Sequence, residues 1–194
     1  MAIDHEKRRH DIATLTIDMV AREGIEAATI RRIAMEAGFS TTAITHYFAD
    51  KQELLEWAFH ILAKEGERRF EEAREEEPDD IVAALMTLVP WCPVNIRRWK
   101  AYLSFWDQAA RDPELATMLA RGTQVGFEFL RQLLRARAGK KRDIETAAEM
   151  LNAMIQGLAL QMLVDPTTWN EAKARTTLLD MFELAILKVE QRGH

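Results

Sequence analysis

The chain has 194 residues, 48% of them hydrophobic, and a formal net charge of −5. That length accommodates one large domain or a small domain joined to a medium one, and the apolar fraction can fill a sizeable core. The negative balance excludes a protein that holds nucleic acid by bulk charge, so only a local field at a docking face would serve.

The N-terminal stretch MAIDHEKRRHDIATL is charged and lacks the apolar centre of a signal peptide. No run approaches the ~18 apolar residues of a membrane helix, so a soluble, cytoplasmic protein without membrane contact is expected. Strand patterns are almost absent. Ala, Leu, Met, Glu, Arg and Lys dominate, and apolar residues recur at spacings of three and four, which predicts an all-α protein.

The first helix is predicted from about Asp4 to Glu23, with Ile12, Leu15, Met19 and Val20 as its stripe and Gly24 at its stop. Thr29 caps a second helix reaching Ala37, and Ser40 caps a third that turns Ile44 and Phe48 inward. Asp50 and Glu53 have capping-box spacing ahead of a fourth helix, about Lys51 to Arg74. The run from Glu75 to Asp80 contains Pro78 and reads as a helix boundary and solvated link. Residues 1–50 therefore form an N-terminal domain, 51–74 a connector and 75–194 a C-terminal domain. Five further helices are predicted at about Asp80 to Val89, Val94 to Arg111, Asp112 to Ala138, Asp143 to Val164 and Thr168 to Gln191, about nine in all.

Thr29 to Lys51 has the most specific spacing. Two short helices joined by a Gly-containing turn at Gly38 form a helix-turn-helix, whose second helix can enter a DNA major groove. It would present Ser40, Thr41, Thr42, Thr45 and His46, short polar side chains suited to base edges and phosphates. Arg31, Arg32 and Lys51 can bind phosphate, and Tyr47 offers a hydroxyl to the backbone. Residues 1–51 carry Lys7, Arg8, Arg9, Arg22, Arg31, Arg32 and Lys51 against eight acids, so affinity must come from placed contacts. The alternative is a polar surface turn on an ordinary bundle.

Thr29, Ile33-Ala34, Ala37-Gly38-Phe39-Ser40, Ile44, Tyr47-Phe48, Lys51 and Leu54-Leu55 resemble the TetR/AcrR family of bacterial transcriptional repressors, over about residues 8–68. The resemblance implies all-α homodimers, with an N-terminal three-helix DNA-binding domain and a C-terminal ligand and dimerisation domain. By position it makes Ser40 to His46 the recognition helix and puts Thr29, Tyr47 and Lys51 on phosphates. Many members carry Gly at Thr42 and Tyr at Thr45, so the operator cannot be borrowed from a relative. Ser40-Thr41, Ile44, His46-Tyr47-Phe48 and Asp50-Lys51, with Leu103-Ser104-Phe105-Trp106, Ala109, Asp112 to Leu115 and Gly157-Leu158, look like the branch that represses choline-to-glycine-betaine genes.

In the C-terminal half, Trp99, Tyr102 and Trp106 share one helical face. With Trp91, Met118, Phe127 and Met154 they would line a cavity for an apolar or quaternary ammonium effector, or simply fill the core. Cys92, the one cysteine, precludes an intrachain disulfide and fits a reducing compartment; it is a packed hydrophobe or a redox sensor. His5 and His10 read as solvated arm residues, His60 lies on the fourth helix, and His194 is terminal. No metal-ligand spacing appears. Leu151, Ile155, Leu158 and Met162, and Leu178, Phe182, Ala185 and Val189, form stripes for a two-fold dimer or for the core.

No nucleophile–base pair, phosphate-cradling Gly loop or paired carboxylates point to an enzyme, and no cofactor is implied. The expected function is a homodimeric repressor released from a palindromic DNA operator by a small molecule. A helical protein-binding adaptor with a vestigial helix-turn-helix is the alternative, and an all-α enzyme a more distant one.

Overall fold

The computed structural model describes residues 2–139 and 144–191. Among them are nine α-helices, one short 3-10 helix and no strand. They are α1 (Ala2–Glu23), the 3-10 helix (Ile25–Ala27), α2 (Ile30–Ala37), α3 (Thr41–Tyr47), α4 (Lys51–Glu76), α5 (Ile81–Met86), α6 (Pro93–Ala109), α7 (Pro113–Ala138), α8 (Glu145–Val164) and α9 (Glu171–Gln191). The all-α expectation holds. Asp143, expected to open the penultimate helix, and His194 lie outside the described residues.

Three boundaries differ from the sequence reading for local reasons. α5 stops at Met86, three residues early. The Asn95 amide takes the carbonyls of Met86, Thr87 and Val89 at 3.3, 3.3 and 2.9 Å, so this backbone turns towards a side chain instead of continuing a helix. Pro93 opens α6, one residue before the predicted start. At a first helical position the missing N–H costs nothing. α9 starts at Glu171 because Asn170 caps it, accepting from the Lys173 amide at 3.1 Å.

The chain forms two compact units, residues 1–65 with 97–122 and residues 66–96 with 123–194. The seam expected near residue 75 thus lies inside the second unit, and α4, α6 and α7 each contribute to both.

The first unit closes around Ile12, Ile17, Met19, Ile33, Ile44, Phe48, Leu54, Leu62 and Phe105, each at most 1% exposed. Fully burying such side chains contributes roughly 1.5–3 kcal/mol apiece. α1 contacts both α2 and α3, which also contact each other.

In the second unit Phe70 stacks on Phe129 at 4.5 Å, and α9 packs on both α8 and α5. The stripes expected at a dimer interface are spent here. Leu151, Ile155, Leu158, Met162, Leu178, Phe182, Ala185 and Val189 are all at most 4% exposed within the single chain. Their spacing was that of a buried face, and the neighbour that buries it is the chain itself. On α8 and α9 the large apolar side chains left outside are Leu160, Val164, Leu179, Leu184 and Leu187. By length and composition α8 is also apolar enough to cross a bilayer, although polar residues interrupt it. Its seven buried residues and its packing on α9 are those of a core helix.

Candidate nucleic-acid interface

Local capping builds the helix-turn-helix. The Thr29 hydroxyl accepts from the Arg32 amide at 3.3 Å, starting α2. Gly38 ends it at φ 71°, in the left-handed region that favours glycine. The Gly38 and Phe39 amides return to Met35 and Ala34 at 3.3 and 2.8 Å, a Schellman arrangement. Ser40 then caps α3 by accepting from the Ala43 amide at 3.1 Å. Asp50 accepts from the Glu53 amide at 2.8 Å while Glu53 reaches back to the Ala49 amide at 2.7 Å, which opens α4.

These caps fix which face of α3 looks outward. Ile44 and Phe48 are buried, while Ser40, Thr41, Thr42, Thr45 and His46 are exposed. Thr45 donates to the Thr42 carbonyl at 3.0 Å, which spends its hydroxyl proton. Tyr47 is half-buried. Its ring lies 4.9 Å from His5 of α1 and 5.7 Å from His46. His5, exposed as expected, therefore also borders this surface. The signal was present in the sequence: His5, Arg9 and Ile12 step by four and three, and so share a helical face. Arg9 lies over Phe48 and Trp57 at 4.8 and 4.3 Å and pairs with Glu53 at 2.7 Å, tying α1 to the turn after α3.

The cations divide unexpectedly. Arg31 is exposed and has no ion pair among the described residues. Arg32 pairs with Glu23 at 2.7 Å, and its hydrogen bond holds the Glu23 carboxyl below the ordinary glutamate range. Arg22 pairs with Glu36 at 2.7 Å, which raises the guanidinium further. Lys51 is half-buried and donates to the Ile25 carbonyl at 3.1 Å. The eight acids of this segment are thus partly consumed in ordering its cations.

The residues expected to hold an effector fall in both units. In the first, Trp99, Tyr102 and Trp106 form a triangle with ring separations of 5.6, 6.2 and 6.4 Å, backed by Phe59 and Phe105. Met118 packs on the same core, and burial raises the Tyr102 hydroxyl pKa. In the second unit Trp91 is 39% exposed, Phe127 lies beneath Arg131 at 5.6 Å, and Met154 is half-buried. A cleft of about 360 Å³ lined by Ile25, Glu26, Lys51, Gln52, Leu55, Gln108, Asp112 and Leu115 involves none of these residues. Cys92 is half-buried with the Arg69 guanidinium 3.8 Å from its sulfur. Among the described residues no three His, Cys, Asp or Glu side chains converge as metal ligands.

A short exposed helix, capped at both ends and braced on two others, is the reading element of a helix-turn-helix transcriptional regulator. Residues 12–58 match the model of bacterial regulatory proteins of the tetR family, and residues 78–186 match the C-terminal domain of BetI-type transcriptional repressors. The chain belongs to the TetR family. It is 32% identical over 190 residues to the HTH-type transcriptional regulator PksA of Bacillus subtilis, covering 93% of this chain and 91% of that protein. It is 31% identical over 180 residues to the regulator BetI 1 of Chromohalobacter salexigens, covering 91% and 89%. Among solved structures, a putative TetR-family regulator from Rhodococcus sp. has a TM-score of 0.79 at 22% identity, covering 93% and 99%. A putative transcriptional regulator from Saccharomonospora viridis in complex with choline has a TM-score of 0.73 at 22% identity, covering 92% and 96%. These families and relatives are transcriptional regulators, not enzymes.

Proposed function

We propose that this chain is a cytoplasmic, homodimeric repressor that leaves a palindromic operator when a small molecule binds. The observation that carries the reading is the outward face of α3, where Thr41, Thr42, Thr45 and His46 stand exposed on a helix fixed by Ser40 and Ile44. Residues 1–50 read the operator in this proposal, α4 links the two functions, and residues 75–194 carry dimerisation and ligand response. Thr29, Arg31, Tyr47 and Lys51 contact phosphates, and Arg32 joins them once released from Glu23.

Dimerisation is supported by the outward sides of α8 and α9. Five of the eight exposed large apolar side chains in the described residues lie there: Leu160, Val164, Leu179, Leu184 and Leu187. A two-fold contact would cover this patch and set the separation of two recognition helices. An effector preferring another separation weakens operator binding by its difference in affinity for the two states. The Trp99, Tyr102 and Trp106 faces suit an apolar or quaternary ammonium molecule. The choline held by the S. viridis protein of the same fold belongs to that class.

The test is selection of bound duplexes from a random-sequence pool, followed by titration of the selected duplex with the triple variant Thr41→Ala, Thr45→Ala, Tyr47→Phe. A palindromic consensus whose binding the triple variant loses is expected. Unchanged binding by that variant would overturn the assignment of α3.

A further inference from the structure

We propose that Ser104, on α6, is a positioning residue for DNA binding, acting on Lys51 through the backbone of Ile25. The inference rests on Lys51 being a phosphate contact, as proposed above.

Ile25 begins the 3-10 helix, and its amide is one of the N–H groups that a helix start leaves without an internal partner. Gly24, just before it, has φ 86° and no side chain with which to cap. The cap comes instead from a distant helix: the Ser104 hydroxyl oxygen accepts from the Ile25 amide at 2.8 Å. The carbonyl of the same residue accepts from Lys51 Nζ at 3.1 Å and from the Ala28 amide at 3.2 Å. One residue therefore joins α6 through its N–H and the first residue of α4 through its C=O. An ammonium has three donors, so Lys51 anchored on Ile25 keeps two for a phosphate oxygen. The anchor holds a long, flexible side chain near one place before DNA arrives.

α6 is bonded to its surroundings at two places ahead of Ser104. Arg97 pairs with Asp18 of α1 and, at 3.4 Å, with Glu65 of α4. Tyr102 donates to the Leu62 carbonyl at 3.4 Å. A displacement of α6 that lengthens the Ser104–Ile25 bond would move the 3-10 helix, and with it both the anchor of Lys51 and the approach to Thr29, which caps α2.

The experiment measures binding of the full-length protein to the duplex selected from a random pool, across a salt series, for the wild type, Ser104→Ala, Ser104→Thr, Lys51→Met and the Ser104→Ala/Lys51→Met double variant. Thermal melts of each variant accompany the titrations. Ser104→Ala is expected to bind about three- to tenfold more weakly, the loss of one hydrogen bond's worth of positioning. Its salt slope should fall by up to about one per protomer, towards that of Lys51→Met. Ser104→Thr keeps the hydroxyl and should restore both. The double variant should bind no more weakly than Lys51→Met, because both changes remove one contact. A Ser104→Ala protein with the wild-type salt slope, or a double variant whose losses add, would overturn the proposal. If Lys51→Met leaves the slope unchanged, the failure lies in Lys51 as a phosphate contact. If no duplex is selected, it lies in the DNA-binding reading.

Discussion

Arg32 donates to Glu23 at 2.7 Å, joining the start of α2 to the last residue of α1. A cation that its position offers to DNA is thus engaged within the chain. Glu23→Gln is expected to free it, tightening binding to the selected duplex and steepening the salt slope by about one per protomer. A slope equal to wild type would show that Arg32 stays off the phosphates.

The same pair gives a pH dependence of known sign. Arg32 depresses the Glu23 pKa, so its contribution to stability is present above the ordinary glutamate range and is lost as pH falls through the depressed value. Both groups are well solvated, so the effect is small. Below about pH 4 the melting temperature of the wild type should fall slightly more steeply than that of Glu23→Gln, measured by circular dichroism.

Gly38 isolates backbone strain. A Cβ there would meet nothing within 4 Å, yet φ is 71°. Gly38→Ala should therefore cost about 1 kcal/mol from the left-handed conformation alone. Denaturant midpoints measure it, and a loss well above ~2 kcal/mol would mean that the turn reorganises.

Gly122 isolates space instead. A Cβ on it would sit 2.3 Å from Phe59 Cε1, with a helical backbone that any residue tolerates. Gly122→Ala must displace the Phe59 ring, which also packs on Tyr102 and Phe105. A destabilisation of about 1–3 kcal/mol is expected from such overpacking. A neutral or stabilising effect in thermal melts would show that the ring yields freely.

The inward face of α9 serves the fold, and its outward face is the proposed dimer contact. Leu178→Ala removes a fully buried side chain and should cost about 2–5 kcal/mol. Leu184→Glu with Leu187→Glu changes side chains that are 51% and 52% exposed and should leave the fold intact while yielding monomers in light scattering. Dimers persisting in the double variant would move the two-fold contact elsewhere.

How legible each feature was depended on how far apart its parts lie in sequence. Thr29, Gly38, Ser40 and the Asp50–Glu53 box act on backbone groups within five residues, so the helix-turn-helix could be read directly. The outward placement of Thr41, Thr42, Thr45 and His46 followed from Ile44 and Phe48 pointing in. Partners from other helices were not legible. Nothing in the order of residues says that Arg32 meets Glu23, that Lys51 meets Ile25, or that residues 97–122 join the N-terminal helices. The stripe from Leu151 to Met162 shows the same limit. Periodicity reports that a face is buried, never whose surface buries it.

The bond from Ser104 to Ile25 closes 79 residues of chain. At ~5–20 residues per second a ribosome needs roughly 4–16 s to add that length. The caps of α2 and α3 each span three residues and can form as soon as those residues emerge. A nascent chain would therefore hold only these local caps for seconds before α6 arrives to fasten the 3-10 helix and bring Phe105 into the core of the same unit. Operator competence would then come late in synthesis, and a chain terminated before residue 104 would lack both the Ser104 bond to Ile25 and the Phe105 side chain around which the first unit closes.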